Sequence, residues 1–99
     1  MTTRRQHRTP FTYDLAPAFD PCKSHFGGAR VTVNPADSVE LQSYGAHVVT
    51  IDILDPYDKR VTLHPAWDQS DTTLRHVKEF LRQQGFNAHN KGQIRRDYA

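Results

Sequence analysis

From Ala29 to Leu63 the apolar residues recur with a period of two, broken only by turn-forming clusters, and from Ser70 the period changes to about 3.6. That single change of period restricts the chain to a sheet followed by a helical layer. Val31 and Val33 alternate with Arg30 and Thr32, and Asn34-Pro35-Ala36-Asp37 then supplies a type I turn with proline where its fixed φ suits. Val39 and Leu41 follow the same rhythm. Tyr44-Gly45-Ala46 permits a reversal or a bulge, and His47 to Leu54 is the longest strand, with Val49, Ile51 and Ile53 on one face and Val48, Thr50, Asp52 and Leu54 on the other. After the turn at Asp55-Pro56-Tyr57-Asp58, Val61 and Leu63 complete a fourth strand before Pro65. The expectation is an antiparallel β-meander of about four strands, one face of which must be covered.

The cover is expected from the C-terminal third. Ser70 caps a helix by accepting from the backbone N–H of Thr72 or Thr73, and Asp71 suits the positive end of the helix dipole. Leu74, Val77, Phe80 and Leu81 fall within an arc of about 120° at 100° per residue, wide enough to pack on a sheet. Gly85 fits the left-handed position past the helix end, with Phe86 returning toward Leu81 in a Schellman arrangement. A second short helix starts after Asn90 and buries Ile94 and Tyr98. The fold class is therefore α+β, with one or two C-terminal helices on the sheet.

Upstream, Pro17, Pro21 and Gly27-Gly28 forbid a long helix, so residues 11–27 read as an irregular segment laid over the core by its aromatics, with a short strand able to begin at Tyr13 and Leu15. Residues 1–10 carry Arg4, Arg5 and Arg8 with no acid and read as a flexible basic arm. Residues 11–99 then form a single α+β domain. Charge follows the same division: residues 11–70 hold eight acids against four bases, whereas residues 71–99 hold six bases against three acids. Basic ends flank an acidic middle. One cysteine excludes an internal disulfide framework, and the lack of an apolar run of about 18 residues or a signal-peptide core leads us to expect a cytoplasmic protein without a membrane partner.

The stretch Ser70-Asp71-Thr72-Thr73-Leu74-Arg75-His76-Val77-Lys78-Glu79-Phe80-Leu81, followed by Gly85-Phe86, Lys91, Gln93-Ile94 and Asp97-Tyr98, resembles a family of short uncharacterised proteins of phages and mobile elements of Gram-positive bacteria. Lys23-Ser24, Phe26-Gly27, Ala29 and Leu41-Gln42-Ser43-Tyr44-Gly45 extend the likeness over most of residues 22–98. The resemblance implies a small phage-type accessory protein in the host cytoplasm. It implies no particular activity.

Catalytic signals are sparse. Cys22 and His25 have the C-x2-H spacing of half a zinc site, but none of His47, His64, His76 or His89 forms a second tight pair, so no metal and no cofactor is expected. Nothing places the Cys22 thiol at a helix N-terminus or fixes a histidine beside it, and Asp52, Asp55 and Asp58 sit at a strand end and turn where aspartates are ordinarily solvated. We expect no enzyme. His76 lies about 200° from Leu74 on the helical wheel, off the apolar stripe, and reads as an exposed or edge residue.

The strongest functional signal is cationic. Arg75, Lys78 and Arg82 fall near 100°, 40° and 80° on the same wheel and form one stripe, to which Lys91, Arg95 and Arg96 add if the second helix lies alongside. Against this, cations often simply solvate an outer face, and Arg75 with Glu79 is an ordinary i,i+4 pair. The leading expectation is a small accessory protein that binds rather than catalyses, holding nucleic-acid phosphates without sequence preference, because helix–glycine–helix spacing with a short second helix containing Gly92 is a poor reader of bases. The competing expectation is an anti-defence or host-modulating protein that docks on a host protein through Asp52, Asp55, Tyr57, Asp58 and Trp67, with Tyr44 a further aromatic at a turn. An exposed sheet edge could also pair two copies into a homodimer.

Overall fold

A computed structural model describes residues 9–99 of the chain. The basic arm with Arg4, Arg5 and Arg8 lies outside the described residues. The sheet holds strands β1 (Phe11–Asp14), β2 (Ala29–Asn34), β3 (Ser38–Ser43), β4 (Ala46–Asp55) and β5 (Asp58–Leu63), and the helical layer holds α1 (Asp71–Gln83) and α2 (Lys91–Tyr98). Single 3-10 turns occur at Lys23–Phe26 and Pro65–Asp68. The architecture is α+β, as the change of period requires.

All five strands are antiparallel and stand in chain order, so each pairs with its sequence neighbour. Five strands replace the four expected. The additional one is β1, which pairs Phe11 with Val33 and Tyr13 with Val31 and continues through the bond from Leu15 N–H to Ala29 O at 2.9 Å. The sequence allows a short strand from Tyr13, but its alternation before Pro17 is too short to count with the other four. Cross-strand register sets Tyr13, Val31, Leu41, Val49 and Leu63 in one row and Phe11, Val33, Val39, Ile51 and Val61 in the next, all on one face. The opposite face is polar, with Glu40 Oε1 3.0 Å from His47 Nε2 and Thr50 Oγ1 2.8 Å from His64 Nε2.

Three local details depart from simple alternation. Ala36 has φ +64°, which makes the Asn34–Asp37 turn type II rather than type I, with Asp37 N–H bonded to Asn34 O. Tyr44 and Gly45 have φ +52° and +82°, the pair of positive angles of a type I′ hairpin. Leu41 pairs with Val49 but Gln42 with His47, so Val48 is a bulged extra residue. The bulge turns Val48 inward beside Val49, and both are buried, contrary to the opposite faces that alternation assigns them.

α1 begins at Ser70, whose hydroxyl accepts from Thr73 N–H at 3.0 Å, and ends in a Schellman motif in which Phe86 N–H bonds Leu81 O and Gly85 N–H bonds Arg82 O, with Gly85 at φ +88°. Asn90 caps α2 by accepting from Gln93 N–H at 2.9 Å; Ile94 is buried, and the Tyr98 hydroxyl donates to Asn87 O. Val77, Phe80 and Leu81 pack into the core, where Leu15, Phe26, Trp67 and Ala88 join them. The buried face of α1 is wider than its apolar stripe. Thr73, His76 and Glu79 are buried as well, so the covered sector runs about 200° around the helix, from Glu79 to Leu81. The polypeptide between Leu15 and Gly28 supplies this second cover.

Gly28 shows how close that cover lies. A Cβ there would sit 2.4 Å from Cδ1 and Cε1 of Tyr44, whose backbone is fixed both by the hairpin and by its N–H bond to Gly28 O. Gly28→Ala should therefore drive the Tyr44 ring off His76 and destabilise the fold by about 1–2 kcal/mol, within the usual cost of overpacking. Chemical denaturation measures the loss, and an unchanged midpoint would contradict it. Among the described residues no helix is long and apolar enough to cross a membrane.

Candidate functional site

With about 200° of α1 buried, its remaining sector carries Arg75, Lys78 and Arg82, each half-buried. They are half-buried because the segment Phe19–Cys22 runs beside them. Between helix and segment lies a groove of about 250 Å³ lined by Phe19, Asp20, Pro21 and Cys22 on one side and Arg75, Lys78, Glu79 and Arg82 on the other. Three of the six cations singled out in the sequence thus meet in one concavity.

The groove is held open in this shape by Glu79. Its carboxylate accepts from the backbone N–H groups of Ala18 at 2.9 Å, Phe19 at 3.0 Å and Asp20 at 2.9 Å, and from the Gln83 side chain. Gln83 in turn donates to Ala16 O at 2.7 Å. One acid therefore fastens a whole loop to the helix. Burial alone would push the Glu79 carboxyl up, but the bonds from Gln83 and the three amides outweigh it and hold the group below the ordinary carboxylate value. The expected Arg75–Glu79 pair does not form, because the amides occupy the carboxylate. Arg75 instead bridges the groove to Asp20, Nη1 to Oδ1 at 3.2 Å, and Asp20 Oδ1 also accepts from Cys22 N–H at 2.9 Å. The adjacent Cys22 side chain first, and Asp20 second, raise the pKa of the Arg75 guanidinium further.

The other cations are arranged differently. Lys91 and Arg95, one turn apart on α2, both approach Asp68 Oδ2, at 3.5 and 3.4 Å, and Arg95 lies over the Trp67 ring at 5.9 Å. Arg96 faces its neighbour Asp97 at 3.6 Å. Arg82 donates through Nε to Ala88 O at 2.8 Å, and among the described residues neither it nor Lys78 has a carboxylate partner. The six cations are therefore not one continuous face: Arg75, Lys78 and Arg82 line the groove, while Lys91, Arg95 and Arg96 sit beside Asp68 and Asp97.

His76 is fully buried, not exposed. Its ring lies between Phe26 of the second cover and Tyr44 of the β3–β4 hairpin, with centroids 5.2 and 5.5 Å away, and the helical wheel can show neither. Nε2–H donates to His25 O at 2.6 Å, which leaves Nδ1 to accept from the Ser43 hydroxyl at 2.8 Å. Ser43 then accepts from Thr73 at 2.9 Å. A serine bonded to an imidazole is the start of a nucleophilic dyad, yet both side chains are sealed from solvent and no substrate reaches them. Burial lowers the His76 pKa more than the His25 carbonyl raises it. Cys22 and His25 gain no further ligands: among the described residues no three or more His, Cys, Asp or Glu side chains converge to hold a metal ion.

The residues of the competing interface divide. Asp55, Tyr57 and Asp58 stand exposed on the β4–β5 hairpin, with Tyr57 99% exposed and its N–H bonded to Asp55 Oδ1, and Asp52 is half-buried nearby on β4. Trp67 does not join them. It is buried in the core after β5, where the 3-10 turn Pro65–Asp68 folds it inward, and so cannot anchor an exposed interface. Sequence reasoning passed over Phe19, Asp20 and the clasp at Glu79. The signal for them was faint: an acid four residues after one cation and three before another, and a Pro-flanked aromatic with no periodicity.

The chain belongs to the family of unknown function DUF8033, whose model matches residues 13–97, from within β1 to within α2. No curated protein matches the chain, and no solved structure does.

Proposed function

We propose that this DUF8033 member acts by binding rather than catalysis, and that its ligand is nucleic acid held at the phosphates by Arg75, Lys78 and Arg82. The observation that carries this reading is the convergence of those three cations on one groove, two of them without a carboxylate partner among the described residues. Lys91, Arg95 and Arg96 contribute more weakly, since Asp68 and Asp97 already offset part of their charge. The setting we adopt is that of a small phage-type accessory protein in the cytoplasm of a Gram-positive host, which the sequence pattern suggests.

Salt dependence tests the size of the footprint. Two or three phosphate contacts give an affinity loss of about 10- to 40-fold between 50 and 200 mM salt, whereas six contacts give about 1000-fold. We expect the smaller figure by fluorescence anisotropy. Lys78→Ala with Arg82→Ala should flatten the slope by about two contacts, while Arg95→Ala should change it by less than one. Absence of binding at low salt would sink the reading.

The second reading is a host-modulating or anti-defence protein. It draws on the nearly complete exposure of Tyr57 between Asp55 and Asp58, an aromatic flanked by charge at a hairpin tip. Stoichiometric recovery of a single host protein, lost on Tyr57→Ala, would support it.

A further inference from the structure

Resting on the phosphate reading above, we infer that the groove seats one unpaired base on Phe19, so that the nucleic acid it prefers is single-stranded. Phe19 is 56% exposed although it is a large apolar ring, and it stands in the wall facing the cations. Its position is fixed. The Phe19 amide donates to Glu79, as do the amides on either side, which ties the residue in the folded state to the helix that bears Arg75, Lys78 and Arg82. An aromatic face beside a short cationic track is the arrangement that takes stacked bases along a single strand, independent of which base is present.

The dimensions agree. Arg75 and Arg82 are seven residues apart, about 10 Å along the helix, a span that covers two or three phosphates of one strand. A duplex keeps its base faces stacked inside, out of reach of an aromatic ring at the wall of a surface groove. The two acids at the site do not oppose the ligand in the same measure as free carboxylates: Asp20 is paired with Arg75, and Glu79 is turned toward the amides. An unpaired base on Phe19 with its flanking phosphates on Lys78 and Arg82 uses the exposed ring and the two groove cations that have no carboxylate partner among the described residues.

The test is fluorescence anisotropy of the full chain at low salt with a labelled single strand of mixed sequence and the corresponding duplex. The single strand should bind about tenfold more tightly or better. Phe19→Ala should weaken the single strand about tenfold and leave both the duplex affinity and the salt slope unchanged, and Phe19→Trp should restore it. Because Phe19 is exposed, both variants should keep the wild-type circular dichroism and unfolding midpoint. Equal affinity for strand and duplex, or an equal loss for both in Phe19→Ala, overturns the inference while the phosphate reading stands. No binding to either overturns the phosphate reading itself.

Discussion

Glu79→Gln is expected to lower the unfolding free energy by about 3 kcal/mol or more, because the carboxylate it removes is the shared acceptor of three backbone amides and one side-chain amide. A bond to a charged acceptor contributes about 1.5–3 kcal/mol, and glutamine offers one oxygen and a donor that repels the remaining N–H groups. For a domain with a total stability of about 5–15 kcal/mol the loss is large. It also carries a pH signature. Since the folded value lies below the ordinary 4.5, the clasp contributes its full stability above pH 4.5 and loses it as pH falls through the lowered folded value. The wild type should therefore weaken below pH 4.5 by an amount missing from the variant. Urea denaturation across pH 3–7 measures both effects. A loss under about 1 kcal/mol at neutral pH would show that the loop is held by something else.

His76→Leu is expected to cost about 2–4 kcal/mol, although leucine is apolar and similar in bulk. It leaves the Ser43 hydroxyl and the His25 carbonyl facing a vanished partner inside a closed core. Ser43→Ala added to it should recover part of the loss, because it removes one orphaned group, and a double-mutant cycle reads that recovery as coupling. The sign of the pH effect follows from the direction of the shift. Burial holds the folded His76 below 6.5, so the unfolded chain takes up the proton first, and wild-type stability falls as pH drops from 6.5 toward the folded value. The decline between pH 7 and 5 should be shallower in His76→Leu. Parallel profiles for the two proteins would contradict the buried neutral assignment.

How far these residues could be read in advance depended on periodicity. β2 to β5 and α1 announce themselves because alternation and the 3.6 repeat each report one buried face, and Ser70, Gly85 and Asn90 mark helix ends through local backbone needs. Val48 was misplaced because a bulge adds a residue that no repeat encodes. His76 was misplaced for a more general reason. A helical wheel describes one covering layer, and α1 has two, the second coming from an aperiodic stretch more than 50 positions upstream. The same separation hid the groove: Arg75 found its partner at Asp20, and Lys91 and Arg95 found theirs at Asp68, rather than next door on the helix. The cationic stripe was legible as a stripe. Its division in two was not.

The strand order has a kinetic corollary. Because β2 to β5 each join the next strand across a short turn, that part of the sheet zips from adjacent hairpins whose ends are already close, and such short-range closures cost little entropy and occur early. The stretch around Phe19 has no such advantage, being tied to a residue about 60 positions later. It should be last to dock in refolding and first to loosen in hydrogen exchange, so its amides report a local opening well below the global barrier.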